Sequence, residues 1–381
     1  MALSGTDLIH GDGALGHTPE VAPSISMSTT FRATLAGPGV IYDPYEEVSR
    51  SPLHDVYSRY SQPVRTRAEH ILSKINNGFA LTYASGLPSL YSVSHTYMCA
   101  SPCRVATTGC HVALSVYTRG HDAEVQVIDL DDEYQPGDMC WLETPPNPTG
   151  EARDIQYYAD KIHAVGGVLL VDATFGPPPL QYPFKFGADI IMHSGTKYFG
   201  GHSDLLCGML VVKTQGEWEQ LWTDRTYMGN TLGFMEAWFL LRSLRTLHLR
   251  VPRQSGSATV LTPEGQFFDG IPGSVIKKVW QSSLQGVDSH GFDPKKQMES
   301  GWNATLAMEL SHAEYGRLLP HTLQYFVAAT SLGGVAILIE QRIQSDSASP
   351  PALVRLSVGL EEDLKQDLKE ALIKLKAEGK I

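Results

Sequence analysis

The chain contains, between residues 188 and 204, the run Ala188-Asp-Ile-Ile-Met-His-Ser-Gly-Thr-Lys197-Tyr-Phe-Gly-Gly-His-Ser-Asp204. Its apolar residues 190–192 predict a short buried strand, which ends where small, hydroxyl-bearing and glycine residues follow. Lys197 comes directly after this strand, in a glycine-rich turn. Such a lysine is either an ordinary exposed loop residue or a desolvated amine that bonds to a carbonyl cofactor, whose phosphate the neighbouring hydroxyls hold.

A second strand supplies a partner for this lysine. Residues 167–175 read Gly-Val-Leu-Leu-Val-Asp-Ala-Thr-Phe and predict another buried strand, which ends at the carboxylate of Asp172. Pyridoxal phosphate needs an acid beside its ring nitrogen, because the protonated ring is the electron sink that stabilises a carbanion. An aspartate at the end of one strand and a lysine just past a nearby strand fit the two ends of that ring.

Eight separated motifs resemble, in order, those of the Cys/Met-metabolism pyridoxal-phosphate enzymes, the family of the cystathionine γ-synthases, the cystathionine β- and γ-lyases and the homoserine sulfhydrylases. They are Tyr57-Ser-Arg-Tyr60, Ser85-Gly-Leu87, Glu143-Thr-Pro-Pro-Asn-Pro-Thr149, Val171-Asp-Ala-Thr-Phe175, Ser194-Gly-Thr-Lys-Tyr198, Gly201-His-Ser-Asp204, Ser331-Leu-Gly-Gly334 and Val354-Arg-Leu-Ser-Val-Gly-Leu-Glu361. The resemblance implies the α/β architecture of fold type I PLP-dependent transferases, with a large domain on a mainly parallel seven-stranded sheet and a smaller C-terminal α/β domain. It also implies an N-terminal arm at residues 1–60 that contributes to the neighbouring subunit's active site, a cofactor-binding domain at 61–250 and a small domain at 251–381.

The order of predicted elements points to the same architecture. Strands alternate with helices between residues 139 and 192, which indicates a mainly parallel sheet covered on both faces. Ligands of such sheets bind beyond the carboxyl ends of the strands, where Asn147, Asp172 and Lys197 fall. A nicotinamide-binding fingerprint also occurs at Gly11-Asp-Gly-Ala-Leu-Gly16, but prolines follow where its helix should run, so we attribute that match to chance.

The resemblance assigns a role to each candidate site residue. Lys197 bonds to the cofactor and moves protons, Asp172 faces the ring nitrogen, and Asn147 contacts both cofactor and substrate. The cofactor phosphate is held by Ser194, Thr196, the backbone of Gly86 and Leu87, and Tyr57 and Arg59 from the neighbouring subunit. The α-carboxylate of the amino-acid substrate is held by Arg355 and Ser331.

One segment departs from the family pattern. Where the family carries a tyrosine that stacks on the cofactor ring and assists proton transfer, this chain has Gly109-Cys-His-Val-Ala-Leu114. His111 is the only ring near that position, and we assign it the catalytic place of the tyrosine. A surface or packing histidine is the alternative.

Composition limits the class of protein. The chain has 381 residues, 42% of them hydrophobic and 19% charged, as expected of a globular protein with a large core. Its formal net charge of −11 argues against nucleic acid or an anionic membrane as a partner, and no apolar run is long enough to span a bilayer. Five cysteines without framework spacing, and a first segment without signal-peptide character, suggest the cytoplasm. The spacing of the cysteines matches no zinc pattern, so no metal is expected.

These observations predict a pyridoxal-phosphate enzyme that acts on an α-amino acid. From the resemblance we expect γ-replacement on an O-acyl-L-homoserine, with a sulfur or carbon nucleophile adding at Cγ. Elimination from cystathionine, at the γ- or β-carbon, is the alternative, and an inactive scaffold is a remote one because Lys197 and Asp172 are both present. The resemblance further implies a homotetramer, a dimer of dimers with shared active sites.

Overall fold

The structure, a computed structural model, describes residues 3–16, 19–32, 55–98, 103–121, 125–261 and 275–378. In this part of the chain, seven strands form one sheet in the order β1-β7-β6-β5-β4-β2-β3. These strands are β1 (Phe79–Tyr83), β2 (Cys103–Thr107), β3 (Val125–Ile128), β4 (Met139–Glu143), β5 (Val168–Asp172), β6 (Ile190–Ser194) and β7 (Gly208–Val212). Strands β3, β2, β4, β5 and β6 run parallel, and β7 pairs antiparallel with both β6 and the edge strand β1, so β7 alone runs in the opposite direction. The predicted mainly parallel seven-stranded sheet is confirmed.

The central strands bring the site together because they end side by side. Residues 139–142, 169–171 and 190–193 are buried, as expected for strands covered on both faces. In the parallel ladder, Glu143 pairs with Asp172, and Asp172 pairs with Met192. The polar residues that close β4, β5 and β6 therefore lie next to one another at one edge of the sheet.

A second, smaller sheet follows in the chain, in the order β10-β11-β12-β9-β8. Its strands are β8 (Ile276–Trp280), β9 (Thr305–Leu310), β10 (Val327–Ala328), β11 (Leu338–Gln341) and β12 (Leu353–Ser357). All pairs are antiparallel except β10 with β11. The prediction of an α/β unit toward the C-terminus is thereby confirmed at the level of architecture.

Helices cover both sheets. They are α1 (Gly5–His10), α2 (Pro63–Asn76), α3 (Gly86–Tyr97), α4 (His111–His121), α5 (Ile155–His163), α6 (Gln215–Met228), α7 (Phe234–Leu244), α8 (Leu247–Leu261), α9 (Pro294–Gln297), α10 (Ala313–Thr322) and α11 (Leu364–Glu378). Short 3-10 turns cover Gly13–Leu15, Pro183–Phe186, Ser282–Leu284 and Arg342–Gln344. None of the helices described is both long and apolar enough to cross a membrane.

The N-terminal segment is tied to the rest of the chain. Asp12 is almost fully buried and forms ion pairs with Arg245 at 2.8 Å and with Arg67 at 2.6 Å. The division into an arm at 1–60 and domains at 61–250 and 251–381 stays a prediction, and position 250/251 falls within α8.

Candidate active site

The turn after β6 holds Lys197 at the edge of the first sheet. Its backbone closes on itself, since Lys197 N donates to Ser194 O at 3.1 Å and Gly201 N donates to Lys197 O at 2.7 Å. The buried Arg250 of α8 donates to the carbonyl oxygens of Tyr198 and Phe199, at 2.7 and 3.4 Å. The turn is therefore fixed by hydrogen bonds from a neighbouring helix, which sets the direction of the lysine side chain.

The Lys197 amine points toward the second sheet. Its Nζ donates a hydrogen bond to Ser331 Oγ at 3.1 Å. Burial lowers the pKa of this amine, and the positive charge of Arg355 lowers it further, whereas Glu340 opposes the shift. A larger fraction of neutral amine results, which is the form that can act as a nucleophile or a base.

Asp172 presents one oxygen to the same space. Its Oδ1 accepts hydrogen bonds from Thr174 N at 3.0 Å and Thr174 Oγ1 at 2.6 Å. Burial raises the pKa of Asp172, while these two hydrogen bonds act to lower it. Within the described ranges no hydrogen bond reaches Oδ2, which leaves that oxygen for a ligand.

Glu143 lies beside Asp172 because the two residues are register partners at the ends of β4 and β5. Burial, and then the charge of Asp172, raise the pKa of Glu143 to about 7, although Asn147 N donates to its Oε1 at 3.1 Å. Burial and the same two carboxylates raise the pKa of the Cys110 thiol to about 12. If pyridoxal phosphate binds here, the positive charge of its ring nitrogen would offset the repulsion between the Glu143 and Asp172 carboxylates.

A helix N-terminus lies next to the lysine turn. Helix α3 is 12 residues long and begins at Gly86, and the Ser85 side chain does not cap it. A Cβ at Gly86 would lie 3.1 Å from Met192 Cε and 3.8 Å from Ser194 Oγ, so the helix start packs closely against the end of β6. Free N–H groups at a helix start bind anions well. The Leu87 side chain is 63% exposed, so only its backbone belongs to this feature.

Thr196 links the turn that holds Lys197 to the backbone of Cys207. Its hydroxyl accepts from Cys207 N at 3.0 Å and donates to Cys207 O at 3.3 Å. These bonds attach the lysine turn to the loop that leads into β7.

Arg355 lies on β12, opposite Lys197, and its side chain is 4% exposed. Its Nη1 donates to Asn147 Oδ1 at 2.8 Å, and its Nη2 donates to Ser331 O at 3.0 Å and pairs with Glu340 Oε2 at 2.8 Å. Burial lowers the pKa of Arg355 to about 10, and Arg342 adds to that shift while Glu340 opposes it. A buried guanidinium held in this way is suited to gripping a carboxylate.

These groups surround one cavity of about 400 Å³. Its lining combines the ends of β4, β5 and β6 with residues of the second sheet: Glu143, Asn147, Asp172, Thr174, Phe175, Ser194, Lys197, Thr330, Ser331, Leu332, Arg342, Ser345 and Arg355. The structure thus brings together Lys197, Asp172, Ser194, Asn147, Ser331 and Arg355, as the motifs predict.

Of the predicted residues, Gly86, Leu87 and Thr196 lie in the helix start and the lysine turn but do not line the cavity, and three others lie outside it as well. His111 begins α4, is exposed and is not among the residues that line the cavity. Tyr57 and Arg59 lie outside the cavity too, with the Arg59 guanidinium 5.5 Å from the centre of the Tyr57 ring. The roles of all three stay predictions, and for Tyr57 and Arg59 the predicted site is that of a neighbouring subunit.

Sequence reasoning did not identify four residues that organise the site: Thr174, Arg250, Glu340 and Arg342. Thr174 lies within a motif, two residues after Asp172, and its hydroxyl signals the capping of that carboxylate. The other three are charged residues in or beside apolar segments, a signal that is present but not specific. No group of three potential metal ligands is found among the described residues.

The cavity fits pyridoxal phosphate on its own chemistry. It offers an amine with a lowered pKa, a carboxylate with one free oxygen, and a helix N-terminus beside a serine hydroxyl. Lys197 would bond to the cofactor, Asp172 would face its ring nitrogen, and Ser194 with the start of α3 would hold its phosphate.

Comparison with known proteins agrees with this fit. The model of a family described as "Cys/Met metabolism PLP-dependent enzyme" matches residues 5–373. A cystathionine gamma-lyase of Dictyostelium discoideum is 31% identical, over 97% of both chains. A cystathionine beta-lyase of Lactococcus lactis subsp. cremoris is 30% identical, over 97% of this chain and 98% of the relative. The apo structure of a methionine gamma lyase from Micromonospora echinospora superposes with a TM-score of 0.82 and 28% identity, covering 98% of this chain and 99% of that one. The chain therefore belongs to the pyridoxal-phosphate-dependent enzymes of Cys/Met metabolism, and pyridoxal phosphate is its cofactor.

Proposed function

We propose that the protein catalyses elimination from an amino acid of the cystathionine type, with cleavage of a carbon–sulfur bond. The observation that carries the proposal is the placement of the Lys197 amine, with its lowered pKa, in one cavity with Asp172 and the buried Arg355. The names of the relatives, cystathionine gamma- and beta-lyases, support this type of substrate.

The expectation of γ-replacement on an O-acyl-L-homoserine finds no specific support in these relatives, which are named as lyases. Elimination and replacement both begin with proton removal at the α-carbon. A leaving group at Cβ can then depart directly, whereas one at Cγ departs after a second proton is removed at Cβ. Elimination and replacement at Cγ differ only in the steps after that departure. We therefore favour elimination over the replacement expected from the motifs.

Five residues of the cavity have a task in this reaction. Arg355, with Ser331 and Asn147, binds the α-carboxylate and thereby fixes the α-carbon relative to Lys197. The neutral Lys197 amine takes a proton from the α-carbon and can return one later in the reaction. Asp172, which would face the ring nitrogen, would stabilise a positive charge there. Pyridoxal phosphate, when bound, supplies the electron sink for the negative charge that develops at the α-carbon.

We also propose that the working unit is a homo-oligomer, a dimer of dimers, in the cytoplasm. The exposed position of Tyr57, outside the cavity of its own chain, supports a role at a neighbouring subunit's site. The cysteines described, Cys103, Cys110, Cys140 and Cys207, are all free thiols, which suits a reducing compartment.

The test is a product assay with purified, cofactor-loaded protein and L-cystathionine. Elimination at either carbon consumes one molecule of water. At the γ-carbon it yields cysteine, 2-oxobutanoate and ammonia, and at the β-carbon it yields homocysteine, pyruvate and ammonia. We expect release of one of these oxo acids, and a loss of about 10²- to 10⁴-fold in Lys197→Ala. Lys213→Ala is the matched control, because Lys213 is partly exposed and pairs with Asp189 outside the cavity lining.

A second assay offers O-acetyl-L-homoserine together with L-cysteine. If this mixture gives cystathionine while cystathionine itself is not cleaved, γ-replacement is the reaction and the proposal is wrong. If neither assay gives product with loaded enzyme, the proposed substrate class is wrong.

A further inference from the structure

A second arginine shares the cavity with Arg355. Arg342 opens the 3-10 turn Arg342–Gln344 directly after β11, is 7% exposed, and lines the cavity together with Lys197 and Arg355. The proposed elimination does not use it. A charged side chain that is more than nine-tenths buried beside a substrate cavity needs an anionic partner.

The protein satisfies this guanidinium only in part. Arg342 Nη1 pairs with Glu340 Oε2 at 3.0 Å. That same oxygen also accepts from Arg355 Nη2 at 2.8 Å and from Thr330 Oγ1 at 3.1 Å. Two arginines thus share one carboxylate oxygen, so neither has an anion of its own.

The remaining donors of Arg342 have no protein acceptor among the described residues. A guanidinium carries five N–H donors. Its Nε is buried without a partner, and in the part of the chain that the structure describes no hydrogen bond is formed by its Nη2. Arg355, in contrast, is also bonded to Asn147 and to the backbone of Ser331. The less satisfied of the two cavity arginines is therefore Arg342.

The position of Arg342 indicates which part of a substrate it meets. Arg355 turns its Nη1 toward Asn147, where the α-carboxylate is proposed to bind, and meets Glu340 with its Nη2. Arg342 meets the same Glu340 oxygen from the turn after β11, and the hydroxyl-bearing residues Ser345 and Thr330 line the cavity with it. These three residues give the cavity a polar wall besides the group of Arg355, Asn147 and Ser331 that is proposed to bind the α-carboxylate.

We propose that Arg342 binds a second, distal carboxylate of the substrate and so determines a preference for dicarboxylic over neutral amino acids. A carboxylate matches the planar donors of a guanidinium. The inference rests on the proposed function in one respect, since a cystathionine-type substrate carries such a carboxylate. It extends that proposal by naming Arg342 as the residue that binds this distal carboxylate.

The test measures binding of two non-cleavable ligands of equal chain length to the cofactor-loaded enzyme. L-2-aminopimelate ends in a carboxylate, and L-2-aminoheptanoate ends in a methyl group. By calorimetric titration we expect the wild type to bind the aminopimelate about 10- to 100-fold more tightly, the range expected for a hydrogen bond to a charged group. In Arg342→Gln this ratio should fall to near one, with the affinity for aminoheptanoate unchanged.

Two further variants separate the explanations. Arg342→Lys keeps the charge and should keep an intermediate preference, since an ammonium binds carboxylate as a point charge. Arg253→Gln is the control, because Arg253 is 52% exposed and pairs with Glu362 outside the cavity. Retention of the cofactor absorbance and of circular dichroism shows that each variant is folded.

Two outcomes would overturn the proposal. Equal weakening of both ligands in Arg342→Gln would mean that Arg342 only positions Arg355 through Glu340, and an unchanged ratio would mean that the carboxylate binds elsewhere. Should the glutamine variant fail to fold, the wild type and Arg342→Lys still decide, because equal affinity of the wild type for both ligands would also overturn the proposal. Neither ligand has a leaving group, so the result is independent of whether elimination is the correct reaction.

Discussion

Glu143 and Asp172 lie side by side because they close neighbouring parallel strands in register. The pKa of Glu143 is raised to about 7, by burial first and by Asp172 second. A raised acid pKa means that the folded state binds a proton which the unfolded chain releases at its ordinary pKa near 4.5. The stability linked to that proton is fully present below pH 4.5, and it is lost as pH rises through about 7.

We therefore expect Glu143→Gln to stabilise the cofactor-free protein at pH 8 by about 1–2 kcal/mol and to change little at pH 5. The amide keeps an acceptor for Asn147 N and removes the charge beside Asp172. Urea denaturation at both pH values measures the difference, with Glu362→Gln as an exposed control. A glutamine variant no more stable than the wild type at pH 8 would contradict this account. Bound cofactor should reduce the gain, because its cationic ring nitrogen offsets the same repulsion.

Among single residues of the site, Lys197 and Asp172 were predictable from the sequence because each follows or ends a strongly apolar strand. A charged side chain at such a position indicates a chemical role. Glu340 and Arg342 were not predictable in this way. Glu340 lies within the apolar run that forms β11, and its burial depends on the two arginines that meet it from β12 and the following turn. Such a cluster depends on how strands pair across the sheet, which local sequence does not show.

Among the elements, the loop before β11 connects the two sheets at the lysine turn. Gly333 has φ +74°, and a Cβ there would lie 2.7 Å from Tyr198 N and 3.0 Å from the carbonyl carbon of Lys197. The neighbouring Ser331, whose hydroxyl meets the Lys197 amine, also has a positive φ of 90°. The loop can approach this closely only because glycine carries no side chain.

Gly333→Ala should destabilise the fold by about 1–3 kcal/mol and displace Ser331 from Lys197, which should raise the KM in the cystathionine assay proposed above. Gly256→Ala is the matched control, since Gly256 lies in α8 with open space around it. That change should stabilise by about 0.5–1 kcal/mol, because alanine is the better helix former. Thermal unfolding and steady-state kinetics measure both variants. Equal stability of the two variants would show that the loop adapts without cost.

Element boundaries were harder to predict than element types. The sequence of Met235–Arg250 predicts one helix, but the structure has α7 and α8 with a break at residues 245 and 246. Residues 254–293 are rich in Gly, Ser and Pro, which predicts a loop. The structure has helix as far as Leu261 and strand β8 within this segment, and residues 262–274 lie outside the described part. Residues such as Gln254, which donates to the carbonyl oxygens of Gly334 and Val358, anchor this helix by tertiary contacts that no local pattern reveals.

For the whole molecule, the resemblance predicts active sites shared between subunits. If Arg59 serves the neighbour's cofactor, Arg59→Ala and Lys197→Ala damage opposite sides of each site. Mixing and reassembling the two inactive variants should then restore up to about one quarter of wild-type activity, because half of the random dimers carry one site with both residues intact. Mixtures of Lys197→Ala with Asp172→Ala, both from the same chain's cavity, should restore none. No recovery in the first mixture would mean that each chain forms its own complete site.

The contact between the two sheets at the cavity bears on how readily the protein unfolds and is degraded. Tyr198, next to Lys197, accepts a hydrogen bond at its hydroxyl from the backbone N of Ala304, directly before β9, at 3.1 Å, and residues from both sheets and their loops line the cavity. If a substrate is held between Lys197 and Arg355 as proposed, it acts as a reversible cross-link, which stabilises both sheets by the same binding free energy. We then expect the enzyme to be protected from unfolding and proteolysis when its amino acid is abundant, and to become easier to degrade as the pool is exhausted.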